Sequence, residues 1–151
     1  MIRIGSDHGG YSLKQALIQG LEEKGCRIKD YGCYSAQSCD YPVYAKAVSQ
    51  GILSGEIEEG ILVCGTGIGI AIAANKIPGI RAAVCTDTFS ARAAKEHNHA
   101  NILAMGERVI GKGLALEIAE AFLKASFSSD KRHVRRISMM ENEEITYKKG
   151  E

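Results

Sequence analysis

The stretch Leu62-Val63-Cys64-Gly65-Thr66-Gly67-Ile68-Gly69-Ile70-Ala71 sets a thiol, a hydroxyl and alternate glycines between two runs of different character. Before it lies an apolar β-run, Gly60 to Val63; after it, a helix-forming run, Ile70 to Lys76. This reads as a buried strand, a tight loop and the start of a helix. Glycines at those places allow positive φ and let a ligand lie against bare backbone. Loop amides and the helix dipole together make an anion site. The same field favours a thiolate at Cys64, making it a usable base or nucleophile. The alternative for Cys64 is a small buried hydrophobe at a strand end; the glycine loop directly after it favours chemistry.

Other reactive side chains recur where apolar runs end. Asp7 and His8 follow the run Ile2 to Gly5, Thr86 and Asp87 follow Ile80 to Cys85, and Gly106 to Arg108 follow Ile102 to Met105. In a parallel sheet, ligands bind beyond the carboxyl ends of the strands at the switch in strand order, so these positions converge on one small-molecule site. Each also has a structural reading. Ser6-Asp7-His8 can cap a helix, and His97, in Glu96-His97-Asn98-His99, suits a helix C-terminus. Lys131 to Arg136 can be a solvated face. Arg132 and Arg136, however, share a helical face, the spacing for a two-arginine clamp on phosphate.

The elements that must position these groups alternate regularly. A strand at Ile2 to Gly5 precedes a helix carrying Leu13, Leu17, Ile18 and Leu21 up to Gly25. Cys26 to Tyr31 is a second strand, and a polar loop, Gly32 to Asp40, leads to a helix opened by Tyr41-Pro42 and running to about Leu53. After the glycine loop come strands at Ile80 to Cys85 and Ile102 to Met105. Between them runs a helix capped by Thr86-Asp87 and ending near Glu96, and a last long helix covers Gly113 to Ala125. Residues 127–151 are a polar, basic tail with room for one more helix. The expectation is a single domain, residues 1–151, with a three-layer α/β/α, Rossmann/flavodoxin-like fold around a five-stranded parallel sheet.

Bulk properties exclude several classes. A net charge of +1 over 151 residues argues against nucleic acid or an anionic membrane as partner, and no apolar run reaches the ~18 residues of a membrane span. The N-terminus enters a strand at once, leaving no room for a signal peptide. Five cysteines (26, 33, 39, 64, 85) without a Cys-x-x-Cys pair fit reduced thiols in the cytoplasm better than a disulfide framework or zinc site. No cluster has metal-ligand spacing, so a metal-free, cofactor-free reaction is expected. The P-loop motif is absent. A dinucleotide fingerprint counted from Gly65 or Gly67 puts Ile70 or Ile72 where a small residue must sit; Asp87 alone keeps a nucleotide-binding module open as a rival.

Taken in order, Ser6-Asp7-His8-Gly9-Gly10, Asp40-Tyr41-Pro42, Cys64-Gly65-Thr66-Gly67-Ile68-Gly69, Ala73-Ala74-Asn75-Lys76, Glu96-His97-Asn98 and Arg132-His133 resemble ribose-5-phosphate isomerase type B, from residue 2 to about 137. The wider group includes allose-6-phosphate and galactose-6-phosphate isomerases. The resemblance implies aldose–ketose isomerisation of a small phosphorylated sugar through an enediolate. His97 would open the sugar ring. Cys64, with Thr66 beside it, would move the proton between carbons 2 and 1, and the amides of Gly65, Thr66, Gly67, Ile68 and Gly69 would steady the enediolate oxygen. Asp7 and His8 carry over as sugar and phosphate contacts; Asn98, Arg108, Arg132 and Arg136 are further substrate contacts, the arginines mainly to phosphate. Cys64 places the chain in the cysteine class rather than the glutamate class. One departure is Ala71, where the family leads one to expect serine, read as a packing change inside the helix.

Geometry adds an expectation about assembly. A helix from about Thr88 to Glu96 is ~13 Å long and runs back across the sheet, taking His97 to the amino ends of the strands, away from Cys64. One subunit would then give Asp7, His8 and Cys64 to Gly69, and its partner His97, Arg132 and Arg136, in a homodimer or a tetramer of such dimers. For substrate, ribose 5-phosphate leads and six-carbon phosphosugars are the alternative.

Overall fold

The computed structural model describes residues 1–55 and 59–142. Five parallel strands, β1 (Ile2–Ser6), β2 (Ile28–Asp30), β3 (Glu59–Cys64), β4 (Ala82–Val84) and β5 (Ile102–Gly106), form one sheet in the order β2-β1-β3-β5-β4. The three central strands are covered on both faces, which is why they read as continuous apolar runs rather than alternating ones. The edge strands have three residues each, shorter than the apolar runs that contain them.

The described residues form six α-helices, α1 (Tyr11–Glu23), α2 (Tyr41–Leu53), α3 (Ile68–Asn75), α4 (Thr88–Asn98), α5 (Lys112–Lys124) and α6 (Lys131–Asn142); the first five cover the sheet and α6 packs on α4. Period-two alternation along β3 divides its side chains between two cores. Ile61 and Val63 pack with Leu13, Leu17 and Leu21 of α1, Ala91 of α4, and Ile118 and Phe122 of α5. Leu62 and Cys64 pack with Ala45 and Val48 of α2 and Ile70 and Ala74 of α3. The layers follow from right-handed crossovers. The connection from β3 to β4 steps outward past β5 and puts α3 on one face; the connection from β4 steps back to β5 and puts α4 on the other. Because α1 and α2 likewise diverge, the crevice opens between β1 and β3. The three-layer, Rossmann-like expectation holds, with β4 at the edge.

Boundaries shift where local hydrogen bonding decides them. A 3₁₀ turn, His8–Gly10, precedes α1, with the Asp7 carboxylate accepting the Gly10 N–H. Helix α3 begins at Ile68, two residues earlier than the apolar run indicates, because Gly67 adopts φ +79° and is its N-cap. Asp87 alone caps α4 by accepting the Ser90 N–H at 2.6 Å, which also lowers its pKa. That helix runs on to Asn98, so His97 and Asn98 sit in its last turn. The tail contributes α6, held against α4 and buried at His133 and Ile137, one turn apart. Residues 143–151, the rest of the expected tail, lie outside the described residues. No helix among the described residues is long and apolar enough to cross a membrane.

Candidate active site

The β1 and β3 loops meet in the crevice through contacts that only glycine permits. Gly10 lies so close to the Val63 carbonyl that an added Cβ would come within 2.6 Å of its carbon and oxygen. Asp7, 7% exposed, donates its N–H to Val63 O at 3.3 Å. His8 accepts the Cys39 N–H at Nδ1, 3.2 Å, so the neutral ring carries its proton on Nε2 and presents a donor. The loop that supplies Cys39 is anchored at its base by Asp30, whose carboxylate accepts the Gly32 N–H at 2.9 Å and pairs with buried Lys14 at 2.5–2.6 Å.

Cys64 closes β3, 5% exposed, and its Sγ accepts the Gly67 N–H at 3.1 Å. A donor aimed at sulfur inside an amide-lined loop suits a thiolate. Thr66 is exposed, its Oγ1 accepting the Ile68 N–H at 3.2 Å. The loop is locked to β5: Glu107 N–H bonds Cys64 O at 2.9 Å and Arg108 N–H bonds Gly65 O at 3.0 Å. The Arg108 guanidinium lies over Gly65. Asp7, His8, Cys64, Gly65 to Gly69 and Arg108 therefore form one constellation.

Gly67 has no substitute. A side chain there faces both positive φ and the Met105 backbone, 2.8 Å from its Cβ. Gly67→Ala is expected to cost about 2–4 kcal/mol, from left-handed strain plus overlap, and to disturb the Cys64 hydrogen bond. Gly25→Ala, at φ +85° with open space, is expected to cost only ~1–2 kcal/mol. Urea denaturation of the two variants measures the difference.

His97, Asn98, Arg132 and Arg136 form a second group. In register, Gly60 pairs with Ile102 and Cys64 with Gly106. His97 belongs to the end of α4 that leads into Ile102, so about four residues of strand, ~13 Å, separate it from the Cys64 end. His97, Asn98, Arg132 and Arg136 are all exposed. The two groups do not meet within one chain.

Two residues near the chemistry went unassigned in the sequence. The Tyr41 ring packs over Gly69, 3.0 Å from a Cβ built there; Asp40-Tyr41-Pro42 reads in the sequence as a helix opening and as part of the family resemblance, with no role in the site for Tyr41. Glu107 accepts the Leu13 N–H at 2.8 Å and so caps α1, whose own N-cap, Gly10, has no side chain to do so. No local pattern signals a cap supplied from 94 residues away. Ala71 is buried between α2 and α3, in keeping with a packing role. Among the described residues, no group of three His, Cys, Asp or Glu side chains could hold a metal ion.

Residues 2–140 match the profile of a family described as Ribose/Galactose Isomerase. The chain belongs to that family. The chain is 45% identical over 136 residues to ribose-5-phosphate isomerase B of Escherichia coli (strain K12), covering 90% of this chain and 91% of that one. It is 40% identical over 133 residues to the galactose-6-phosphate isomerase subunit LacB of Clostridium acetobutylicum, covering 88% of this chain and 77% of the other. The solved structure of Clostridium thermocellum ribose-5-phosphate isomerase B superposes with a TM-score of 0.91 at 50% identity, covering 93% and 95% of the two chains. As a member of the ribose/galactose isomerase family, the chain is an enzyme, a sugar-phosphate isomerase.

Proposed function

We propose that this enzyme interconverts ribose 5-phosphate and ribulose 5-phosphate without a metal ion or cofactor, as one domain in the cytoplasm. The observation that carries the reading is Cys64, held by the Gly67 N–H at the mouth of the glycine loop that leads into α3. His97 opens the furanose by taking the proton of the anomeric hydroxyl and giving one to the ring oxygen. The Cys64 thiolate then removes the proton from C2. Charge develops on the enediolate oxygen, where the Gly65, Thr66 and Gly69 amides donate, those of Gly67 and Ile68 being bonded to Cys64 Sγ and Thr66 Oγ1; these donors count for more there than in the ground state. The thiol returns its proton to C1 while a proton passes from O2 to O1, leaving the ketose. Thr66 lies beside the reacting carbons. Asp7, His8 and Asn98 hold sugar hydroxyls and phosphate, and Arg108, Arg132 and Arg136 neutralise the phosphate.

The separation of the two groups supports a shared site in a homodimer, the partner supplying His97, Asn98, Arg132 and Arg136. Ile68 and Ile72, one turn apart on α3 and both more than half exposed, give a partner an apolar seat beside the glycine loop. A second reading, isomerisation of a six-carbon phosphosugar, is favoured by the similarity to the galactose-6-phosphate isomerase subunit. The ratio of kcat/KM for ribose 5-phosphate over allose 6-phosphate and galactose 6-phosphate decides between them; a ratio above one is expected. Alkylation of Cys64 is expected to inactivate, with sugar phosphate protecting. Full turnover after stoichiometric modification at Cys64 would remove the thiol from the mechanism.

A further inference from the structure

Among the described residues, no hydrogen bond orients the exposed His97 ring. Its ring contact is with His133, the centroids 4.6 Å apart and the planes tilted by 36°. His133 is only 7% exposed, although it sits near the start of a mostly solvated helix. Burying an imidazole is costly unless its polar atoms are paired, and here Nδ1 lies 2.9 Å from Ser128 Oγ. Ser128 is itself fixed twice: Oγ accepts the Asp130 N–H at 3.3 Å, and its own N–H bonds Glu96 O at 3.0 Å, on the residue before His97. The segment that leaves α5 therefore bonds to the last turn of α4 through Ser128 and delivers the His133 ring under His97. Arg132 is the preceding residue and Arg136 lies one turn further along α6.

We propose that His133 is a positioning residue for ring opening: pinned through Nδ1 to Ser128, its buried ring is the platform that holds His97 in the orientation for proton transfer. The inference rests on the reading of His97 as the ring-opening group. Burial, and after it the neighbouring His97, lower the pKa of His133, so the platform beneath His97 is an uncharged ring. A purely structural role would be served as well by leucine or phenylalanine, which need no serine partner.

The test compares His133→Ala, His133→Phe, Ser128→Ala and His97→Ala as assembled enzymes, with ribose 5-phosphate and its C2-deuterated form. Loss of positioning is expected to lower kcat about 10- to 100-fold with KM changed less than about threefold, in both His133 variants and, by a smaller factor, in Ser128→Ala. Ring opening then limits the rate, so the C2 isotope effect falls toward unity, as in His97→Ala. His133→Phe preserves a packed ring and keeps the comparison meaningful if His133→Ala unfolds. Wild-type kcat in His133→Phe, or a lower kcat with an unreduced isotope effect, would overturn the inference. If His97→Ala itself keeps the wild-type isotope effect, the ring-opening reading fails with it; a normal His97→Ala response beside unresponsive His133 variants defeats this inference alone.

Discussion

Cys64→Ala is expected to lower kcat for ribose 5-phosphate by at least ~10³-fold, with a much smaller effect on KM. A positioned acid or base is worth about 10²–10⁴ in rate, and this thiol serves twice in one turnover, removing the C2 proton and returning it to C1. A 10³-fold loss corresponds to about 4 kcal/mol of lost transition-state stabilisation. Binding survives because Asp7, His8, Arg108 and the loop amides remain. The fold survives as well: the change removes one sulfur, 5% exposed, and its bond to the Gly67 N–H, a stability loss of about 1–2 kcal/mol. Cys64→Ser restores the acceptor without an ionisable thiol, so it should recover stability and not turnover. Steady-state kinetics beside urea denaturation separates the two effects. A Cys64→Ser enzyme with more than a tenth of wild-type kcat would show that the proton is moved by another group, Asp7 being the carboxylate of the constellation.

The second large effect is a gain. Cys64→Ala and His97→Ala are each expected to be nearly inactive, and co-refolding them in equal amounts is expected to restore about a quarter of wild-type activity. Random pairing makes about half of the dimers mixed, and each mixed dimer has one site with Cys64 and His97 both intact and one with neither. Cysteine and histidine in one subunit's site would give no such recovery, since every site would lack one group. Two affinity tags isolate the mixed species, which should hold about half the wild-type activity per dimer. Mixed dimers as inactive as their parents would contradict the shared site.

Legibility in the sequence followed how locally each feature is determined. The β3 loop could be read because strand, thiol, glycines and helix start are adjacent in the chain, and Asp7 and His8 could be read because strand ends are where apolar runs stop. The division into two groups was also accessible, since helix length and strand direction alone carry His97 away from Cys64. Strand order was not: that β4 lies outside β5 depends on packing between segments far apart in sequence. The early start of α3 was hidden because isoleucine at 68 signals strand and helix equally, and the positive φ of Gly67 decided the matter. Tyr41, Glu107 and His133 escaped for one reason. Each acts through a contact in space: a ring on Gly69, a carboxylate capping α1, a buried imidazole under His97.

The most direct measurement is proton NMR of ribose 5-phosphate incubated with the purified enzyme in D₂O containing excess EDTA, with Cys64→Ala in parallel. The expected result is ribulose 5-phosphate from the wild-type enzyme, with solvent deuterium at C1 in those turnovers in which the Cys64 thiol exchanges its proton before returning it, and unchanged aldose from the variant: proton transfer through an enediolate, by a thiol, without a metal. No ketose from the wild-type enzyme, or ketose formed equally by the variant, would contradict it.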